Sequence, residues 1–242
     1  MRTFRLALGQ INTTVGDLDG NTRKIIDYID QARSLNADLV AFPELVITGY
    51  PPEDLLLHPQ FIKDNVTKMH QIVAASQGVA IVIGFVDVAS DIHNAAAIGY
   101  NGELVGVYHK IHLPNYGVFD EERYFQSGKQ CPVYVINGTS VGINICEDIW
   151  HTSGPTIMQK AAGAEVIVNI NGSPFHIGKQ KTREEMLAKR ALGNRIFISY
   201  TNLVGGQDEL VFDGGSVIFD PSGNIVSRGK QFTEELIVAD LD

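Results

Sequence analysis

The features that most constrain the fold of this chain are two uninterrupted apolar runs, AIVIGFV and EVIVNI. Each run has the length of a strand and lacks the alternation that is typical of a sheet with one face in water, which predicts strands buried on both faces. Both runs are far shorter than the ~20 residues needed to span a bilayer, so no membrane span is expected. A sheet with such strands needs a covering layer on each side.

Segments with helical spacing can supply these layers. After the strand-like FRLALGQI, apolar residues recur at helical spacing between Ile25 and Ala32 in NTRKIIDYIDQARSL, with Asn21 as the predicted N-cap. The patterns predict further helices from Pro59 to Ala75, in GPTIMQKAAG, and from about Gln180 to Asn194.

The remaining segments predict strands. The Asn-Gly pairs at 101–102 and 137–138 each separate two strand-like segments, which is typical of hairpins. We expect further strands in ADLVAFPEL and RIFISYTNLV, and strand pairs around Gly214–Gly215 and from Pro221 to Asn224. Strands and helices mixed in this order predict α/β layers in one domain over residues 1–242, with functional side chains where strands end.

Composition and the absence of certain motifs exclude several classes of binding partner and functional site. The chain has 28 acidic residues against 19 Lys and Arg, a net charge of −9, which argues against a broad nucleic-acid or anionic-membrane surface. MRTFRLALGQ lacks the apolar centre of a signal peptide and the chain has two cysteines, so we expect a reducing, cytoplasmic location. HExxH, CxxC, GxxxxGK[ST] and GxGxxG do not occur, so neither a metal site nor a phosphate-binding loop is expected.

Three chemically reactive residues follow apolar strand patterns: Glu44 after LVAFP, Lys110 after LVGVYH and Cys146 after VGINI. Taken singly, each has an ordinary structural interpretation, as Cys131 does. Together they match the needs of a thiol nucleophile, which requires a base to take its proton and a cation to stabilise the oxyanion. His112 could also serve as a base, but nothing in the sequence places it nearer to the thiol than Glu44.

The same residues lie in longer motifs that resemble the nitrilase (carbon–nitrogen hydrolase) superfamily, whose catalytic set is Glu, Lys and Cys in that order. These motifs are FPEL, YHKIHLPNYGVFDEERYF and GINICEDIW. More narrowly, PELVITGYPPEDLL, KIHLPNYGVFDEERYF and NGSPFHIGKQKTRE look like the glutaminase (amidotransferase) domain of glutamine-dependent NAD synthetases. The similarity extends from LALGQINTTVGDLDGN to GSVIFDPSGNIV, nearly the whole chain.

This resemblance implies a four-layer α-β-β-α sandwich of the nitrilase type that forms a homo-oligomer. It implies hydrolysis of L-glutamine through a cysteine thioester, with ammonia passed to a synthetase domain that amidates nicotinic acid adenine dinucleotide. ATP and Mg are expected only in that domain, whose SGG.DS loop does not occur in these 242 residues. We therefore expect a NAD synthetase domain in cis in a longer protein or in trans on a partner, and no cofactor in the glutaminase domain.

The resemblance also implies catalytic roles. Glu44 is the general base, Cys146 is the nucleophile, and Lys110 stabilises the oxyanion together with the backbone N–H of Glu147. Glu121 orients the lysine, unless it is a solvated acid in the run DEER or its neighbour Glu122 takes the role.

For the substrate, the implied binding residues are Tyr50, Tyr116, Phe119, Glu147, Ser173 and Lys179. Glu147 and Ser173 would meet the amino-acid head group and Lys179 its carboxylate. The aromatic residues could instead be core packing. The family often has Arg where this chain has Lys179, and Lys offers a point charge in place of a bidentate fork.

Two other functions stay open. The chain could be a free-standing amidase of the same superfamily that acts on an ω-amide or an N-carbamoyl substrate. It could also be a non-catalytic scaffold that retains the fold.

Overall fold

The computed structural model describes residues 3–242. Its elements in chain order are β1 (Phe4–Gln10), α1 (Leu18–Ser34), β2 (Leu39–Ala41), α2 (Pro59–Ala74), β3 (Ala80–Val88), β4 (Ile92–Tyr100), β5 (Glu103–His109), β6 (Val133–Ile136), β7 (Thr139–Ile145), α3 (Pro155–Ala161), β8 (Val166–Asn171), α4 (Lys179–Asn194), β9 (Phe197–Asn202), β10 (Val204–Gln207), β11 (Leu210–Asp213), β12 (Val217–Phe219), β13 (Ile225–Arg228) and β14 (Glu235–Leu241). The expectation of no signal peptide rests in part on Met1 and Arg2, which lie outside the described residues.

Most strands belong to two six-stranded sheets. The first has the order β14-β1-β2-β3-β4-β5 and the second the order β13-β12-β9-β8-β7-β6. Each sheet contains three neighbouring parallel strands, which are β1, β2 and β3 in the first sheet and β7, β8 and β9 in the second. Along β3, Ala80 and Val82 pack into one core while Ile81, Ile83 and Phe85 pack into another, so the apolar run is buried on both faces as predicted.

The sheets pack face to face and helices cover their outer faces. Leu6 and Val82 of the first sheet share a core with Ile143 of the second. Helices α1 and α2 pack on the other face of the first sheet, while α3 and α4 lie against the second. The arrangement is the four-layer α-β-β-α sandwich that the resemblance implies.

Both Asn-Gly turns close hairpins. Asn101 and Gly102 join β4 to β5 with φ of 51° and 82°, and Asn137 and Gly138 join β6 to β7 with φ of 51° and 86°. Two successive positive φ values are the geometry that Asn-Gly adopts most readily in a hairpin.

The predicted N-cap of α1 is wrong. The helix begins at Leu18, and the side chain of Asp17 caps it by accepting a hydrogen bond from Gly20 N at 2.9 Å. Asn21 is buried inside the first turn, where its amide donates to the backbone oxygens of Thr14 and Ile47. These contacts with other parts of the chain therefore outweigh the local preference of Asn for the N-cap position.

The strands predicted from RIFISYTNLV onward also need correction. RIFISYTNLV forms two strands, because β9 ends at Asn202 and β10 pairs with β11 in a separate two-stranded ribbon. Gly214 and Gly215 both have positive φ, and they connect this ribbon to β12 without forming a hairpin. The strand pair around Pro221–Asn224 is confirmed, since β12 and β13 are antiparallel.

Candidate active site

Three strand ends from two sheets supply the candidate catalytic residues. Glu44 follows β2 and Lys110 follows β5 in the first sheet, and Cys146 follows β7 in the second. All three side chains are buried, and the Lys110 ammonium lies 2.6 Å from Glu44 Oε1. The charges of Glu44 and Lys110 both act on the Cys146 thiol, so the facing sheets bring a carboxylate, an ammonium and a thiol into one site.

The Glu44 carboxylate is held at both oxygens. Oε1 accepts hydrogen bonds from Lys110 Nζ and from Asn94 Nδ2 at 2.7 Å, and Oε2 accepts from the backbone N of Gly172 at 2.8 Å. Gly84 on β3 lets the loop come this close, because a Cβ there would lie 2.3 Å from the backbone N of Leu45. The carboxylate is therefore fixed in direction before any substrate binds.

Lys110 contacts a second carboxylate, with Glu121 Oε1 2.7 Å from its ammonium. Burial alone would lower the pKa of Lys110, but the charges of Glu121 and Glu44 raise it well above its usual value. Among the described residues, 3–242, the acceptors of hydrogen bonds from Lys110 Nζ are these two carboxylates. An ammonium has three N–H donors. One N–H thus remains for a developing oxyanion.

Glu121 belongs to a short 3₁₀ helix, Glu121–Arg123, and is almost fully buried. It also accepts from Tyr50 OH at 3.4 Å and from Asn94 Nδ2 at 3.3 Å. Burial raises the pKa of Glu121 to about 7, against the opposing charge of Lys110. Its neighbour Glu122 is exposed, so the acid that contacts the lysine is Glu121.

Cys146 lies at the point where β7 turns into a 3₁₀ helix, Cys146–Ile149. Its φ of 41° is in the left-handed region, which costs a residue with a side chain about 1–3 kcal/mol and is often found at functional sites. Burial, and then the charge of Glu44, raise the pKa of the Cys146 thiol well above its usual value, although Lys110 lowers it. The raised pKa favours the protonated thiol, so an attack by this sulfur needs a base.

The sequence analysis missed Asp148, a fully buried acid two residues after the cysteine. Its Oδ2 accepts from the backbone N of Ile145 at 3.1 Å and from Tyr108 OH at 2.7 Å. Its Oδ1 accepts from the backbone N–H groups of Ile111 and His112. Asp148 therefore ties the loop of the thiol to the loop of the lysine.

Asn94 on β4 is the second residue that the sequence analysis missed. It bridges Glu44 and Glu121, and its backbone oxygen accepts from Lys110 N at 2.9 Å. The sequence does contain a signal for Asn94 and Asp148. Asn94 is a polar residue in a buried strand and Asp148 is an acid beside a candidate nucleophile, and buried polar side chains need hydrogen-bond partners.

The predicted substrate residues divide between two cavities. Tyr116 and Glu147 line a cavity of about 390 Å³, and Tyr116 OH donates to Glu147 Oε2 at 2.8 Å. Tyr50 and Phe119 line a different cavity of about 190 Å³ beside Glu121.

Ser173 and Lys179 have other neighbours. Ser173 is buried, accepts from Arg183 at 3.4 Å and donates its backbone N–H to Asn202 at 2.9 Å. Lys179 is half-buried with its ammonium 4.7 Å from the centre of the Trp150 ring, and burial lowers its pKa. Their substrate-binding roles stay predictions.

The other reactive residues considered from the sequence lie in ordinary surroundings. His112, the alternative base, stacks on His151 with ring centres 3.8 Å apart. Cys131 lies near Met158, and burial raises its pKa. Within residues 3–242, no three His, Cys, Asp or Glu side chains are grouped so that they could hold a metal ion. No helix in this part of the chain is both long and apolar enough to cross a membrane.

Two sheets between helical layers, with a buried Glu–Lys–Cys cluster at their strand ends, form an arrangement that is suited to hydrolysis by a thiol nucleophile. The family model described as carbon-nitrogen hydrolase matches residues 5–242, and the chain belongs to this family. The superfamily resemblance seen in the sequence is thereby confirmed.

Individual relatives show which members of the family this chain is similar to. A glutamine-dependent NAD(+) synthetase of Thermotoga maritima is 44% identical over 245 residues, which cover 100% of this chain and 42% of that protein. The structure of glutamine-dependent NAD+ synthetase from Acinetobacter baumannii with ADP matches with a TM-score of 0.94 at 38% identity, over 100% of this chain and 46% of that one. The chain thus spans less than half the length of these relatives.

A smaller enzyme is also similar. A mutant of the amidase from Nesterenkonia sp. AN1 matches with a TM-score of 0.88 at 25% identity, over 98% of this chain and 90% of that one. Its structure shows covalent addition of the acetamide moiety of fluoroacetamide at the active site cysteine.

Proposed function

We propose that this chain hydrolyses the side-chain amide of L-glutamine through a thioester on Cys146, and that the ammonia supplies a NAD synthetase domain in cis or in trans. The observation that carries the proposal is the buried Glu44–Lys110 pair beside the Cys146 thiol. The names of the relatives support the choice of glutamine as substrate and of NAD synthesis as the destination of the ammonia.

In the first step, the Cys146 sulfur forms a bond to the amide carbon while Glu44 takes the thiol proton. The electron pair of the C=O bond moves to oxygen, which the remaining N–H of Lys110 and the backbone N–H of Glu147 stabilise. Each such donor is typically worth about 10²–10³ in rate. The raised pKa of the thiol makes Glu44 necessary, because the nucleophile is not ionised at rest.

In the following steps, the C–N bond breaks and Glu44 gives its proton to the departing nitrogen, which leaves as ammonia. Water then attacks the thioester carbon while Glu44 takes one of its protons. The C–S bond breaks, the sulfur recovers that proton from Glu44, and glutamate is released. Base catalysis of this kind contributes about 10²–10⁴ in rate.

We assign the amino-acid head group of glutamine to Glu147 and Ser173, and its carboxylate to Lys179, with Tyr50, Tyr116 and Phe119 as pocket walls. The glutaminase chemistry uses no resident cofactor, and ATP and Mg belong to the synthetase domain. We expect the protein to act in the cytoplasm as a homo-oligomer.

One observation favours a second function. The amidase match covers 90% of the Nesterenkonia protein, so a sandwich of this size can be a whole enzyme. On this alternative, the chain acts as a free-standing amidase on an ω-amide or an N-carbamoyl substrate.

Steady-state ammonia release from L-glutamine and from short aliphatic amides separates the two functions. A glutaminase should prefer glutamine by at least about 10² in kcat/KM, because charged groups in the site reject an analogue that lacks the head group. Equal or better turnover of the aliphatic amides would favour the amidase.

Cysteine variants test whether the chain is an enzyme at all. Cys146→Ala should abolish ammonia release, whereas the matched control Cys131→Ser should retain it. If the unmodified chain releases ammonia from none of these amides faster than Cys146→Ala does, the chain is a non-catalytic scaffold.

A further inference from the structure

The carboxylate of Glu147, the residue after the proposed nucleophile, has a polar neighbour at each oxygen. Tyr116 OH donates to Oε2 at 2.8 Å, and His151 Nε2 lies 3.4 Å from Oε1. The Glu147 side chain is mostly buried, with 15% exposed, whereas 44% of the His151 side chain is exposed. A carboxylate can accept at about four positions, so the hydrogen bond from Tyr116 and the nearby His151 nitrogen leave room for a bound cation.

Packing fixes the position of the His151 ring. It stacks on His112 with ring centres 3.8 Å apart and planes 13° from parallel. The backbone N–H of His112 donates to Asp148 at 2.9 Å, in the same turn as the nucleophile. Gly154 closes over both rings, since a Cβ there would lie 3.2 Å from His151 Cβ and 3.3 Å from His112 Nε2. The ring is therefore tied to the active-site loops.

His151 and Glu147 also face a common space. Together with His112, Tyr116 and the exposed acid Glu122, they line the cavity of about 390 Å³. A ligand in this cavity meets Glu147 and His151 side by side.

We propose that His151 is a positioning residue that sets the substrate specificity of the site. Together with Tyr116, it holds the Glu147 carboxylate in the orientation that receives a substrate cation. The site then prefers ω-amides that carry an α-ammonium over ω-amides that lack one. This inference rests on the proposed glutaminase function, and it adds a residue to which no motif of the sequence assigns a role.

Two variants distinguish the contribution of the His151 ring from that of its nitrogen. His151→Phe keeps a flat ring against His112 and removes the contact to Glu147, whereas His151→Gln can return an N–H donor. The substrates are L-glutamine and glutaramate, which has the same amide and terminal carboxylate but lacks the α-ammonium.

His151→Phe should raise the KM for glutamine about 3- to 10-fold and leave kcat within about twofold, because one contact to a charged group is lost. The KM for glutaramate should stay unchanged, and His151→Gln should recover most of the lost preference. An unchanged KM for glutamine, or an equal rise for both substrates, would overturn the inference.

Protection of Cys146 from iodoacetamide gives a measure that does not depend on turnover. Without substrate, His151→Phe and the unmodified chain should be labelled at the same rate, which shows an intact fold around the thiol. The glutamine concentration needed for half-protection should rise by the same 3- to 10-fold. An unchanged half-protection concentration would count against His151 independently of the kinetics.

The two proposals fail in different ways. If the unmodified chain prefers glutamine and His151→Phe preserves that preference, the role of His151 is wrong and the glutaminase function stands. If the unmodified chain prefers glutaramate or short aliphatic amides, both proposals are overturned.

Discussion

Lys110 and Arg183 are both fully buried cations, but their surroundings balance charge differently. Lys110 lies between two carboxylates, Glu44 and Glu121, at 2.6 and 2.7 Å. Arg183 pairs with one carboxylate, that of Asp213, at 3.1 Å. The first cluster has an excess of acid and the second is balanced one to one.

The neighbours of each cation explain what the difference means. Arg183 also donates to Gly214 O and Ser173 Oγ, so it fastens α4 to the turn before β12. In the proposed mechanism, the thiol beside Lys110 loses a proton, and Glu44 is the carboxylate of the cluster that takes it. Both cations are buried, so on this proposal their different roles follow from the difference in charge balance.

The largest expected effect comes from removing one carboxylate of the Lys110 cluster, which has two acids for one cation. Glu44→Gln keeps the shape of the side chain and removes the proposed base. In the proposed mechanism Glu44 serves in both half-reactions, so kcat should fall about 10⁴-fold, the upper end for base catalysis. The free energy of unfolding, from urea denaturation, should change by less than about 2 kcal/mol, since Lys110 keeps Glu121. A variant with more than a tenth of the activity would remove Glu44 from the mechanism.

The balanced cluster should behave in the opposite way. Arg183→Met leaves Asp213 buried without its cation, which should lower the free energy of unfolding by about 3–5 kcal/mol. The double variant Arg183→Met with Asp213→Leu should regain most of that loss, and kcat of the folded protein should stay within about tenfold. Failure of the double variant to recover would show that the pair does more than balance charge.

An intermediate effect concerns the pH dependence of stability. The pKa of Glu121 is about 7 in the folded chain, whereas an unfolded Glu titrates near about 4.3. The folded chain therefore holds a proton that the unfolded chain has released, and this contribution is complete below about pH 4 and is lost as pH rises through 7.

Urea denaturation between pH 5 and pH 8 measures this contribution. The unmodified chain should lose on the order of 1–3 kcal/mol from Glu121 over that range, and Glu121→Gln should not. The control Glu122→Gln changes an exposed acid and should follow the unmodified chain. Parallel curves for Glu121→Gln and the unmodified chain would contradict the raised pKa.

The smallest expected effect concerns the partly solvated Lys179. Lys179→Ala should raise the KM for glutamine about 3- to 5-fold at constant kcat, in line with the modest value of a partly exposed ion pair. Lys181→Ala, two residues away with a well-exposed side chain, is the matched control. An unchanged KM would take Lys179 out of the pocket.

The sequence alone located Glu44, Lys110 and Cys146, because each directly follows an apolar segment whose strand character is local. The hairpins were predictable for the same reason, since Asn-Gly fixes its own turn. Their functional roles still depend on the experiments above.

Contacts between distant parts of the chain could not be predicted in this way. Asn94 and Gly172 reach Glu44 across 50 and 128 residues, so their roles depend on which strands become neighbours. The glycine pair at 214–215 shows the same limit, because its composition predicts a turn but not that the turn leaves one sheet for another.

The buried, protonated state of Cys146 also bears on its chemical durability. Peroxides oxidise thiolates far more readily than thiols, and the raised pKa of the buried Cys146 thiol leaves them little thiolate to attack. The same burial should therefore slow the oxidation of Cys146 by peroxide.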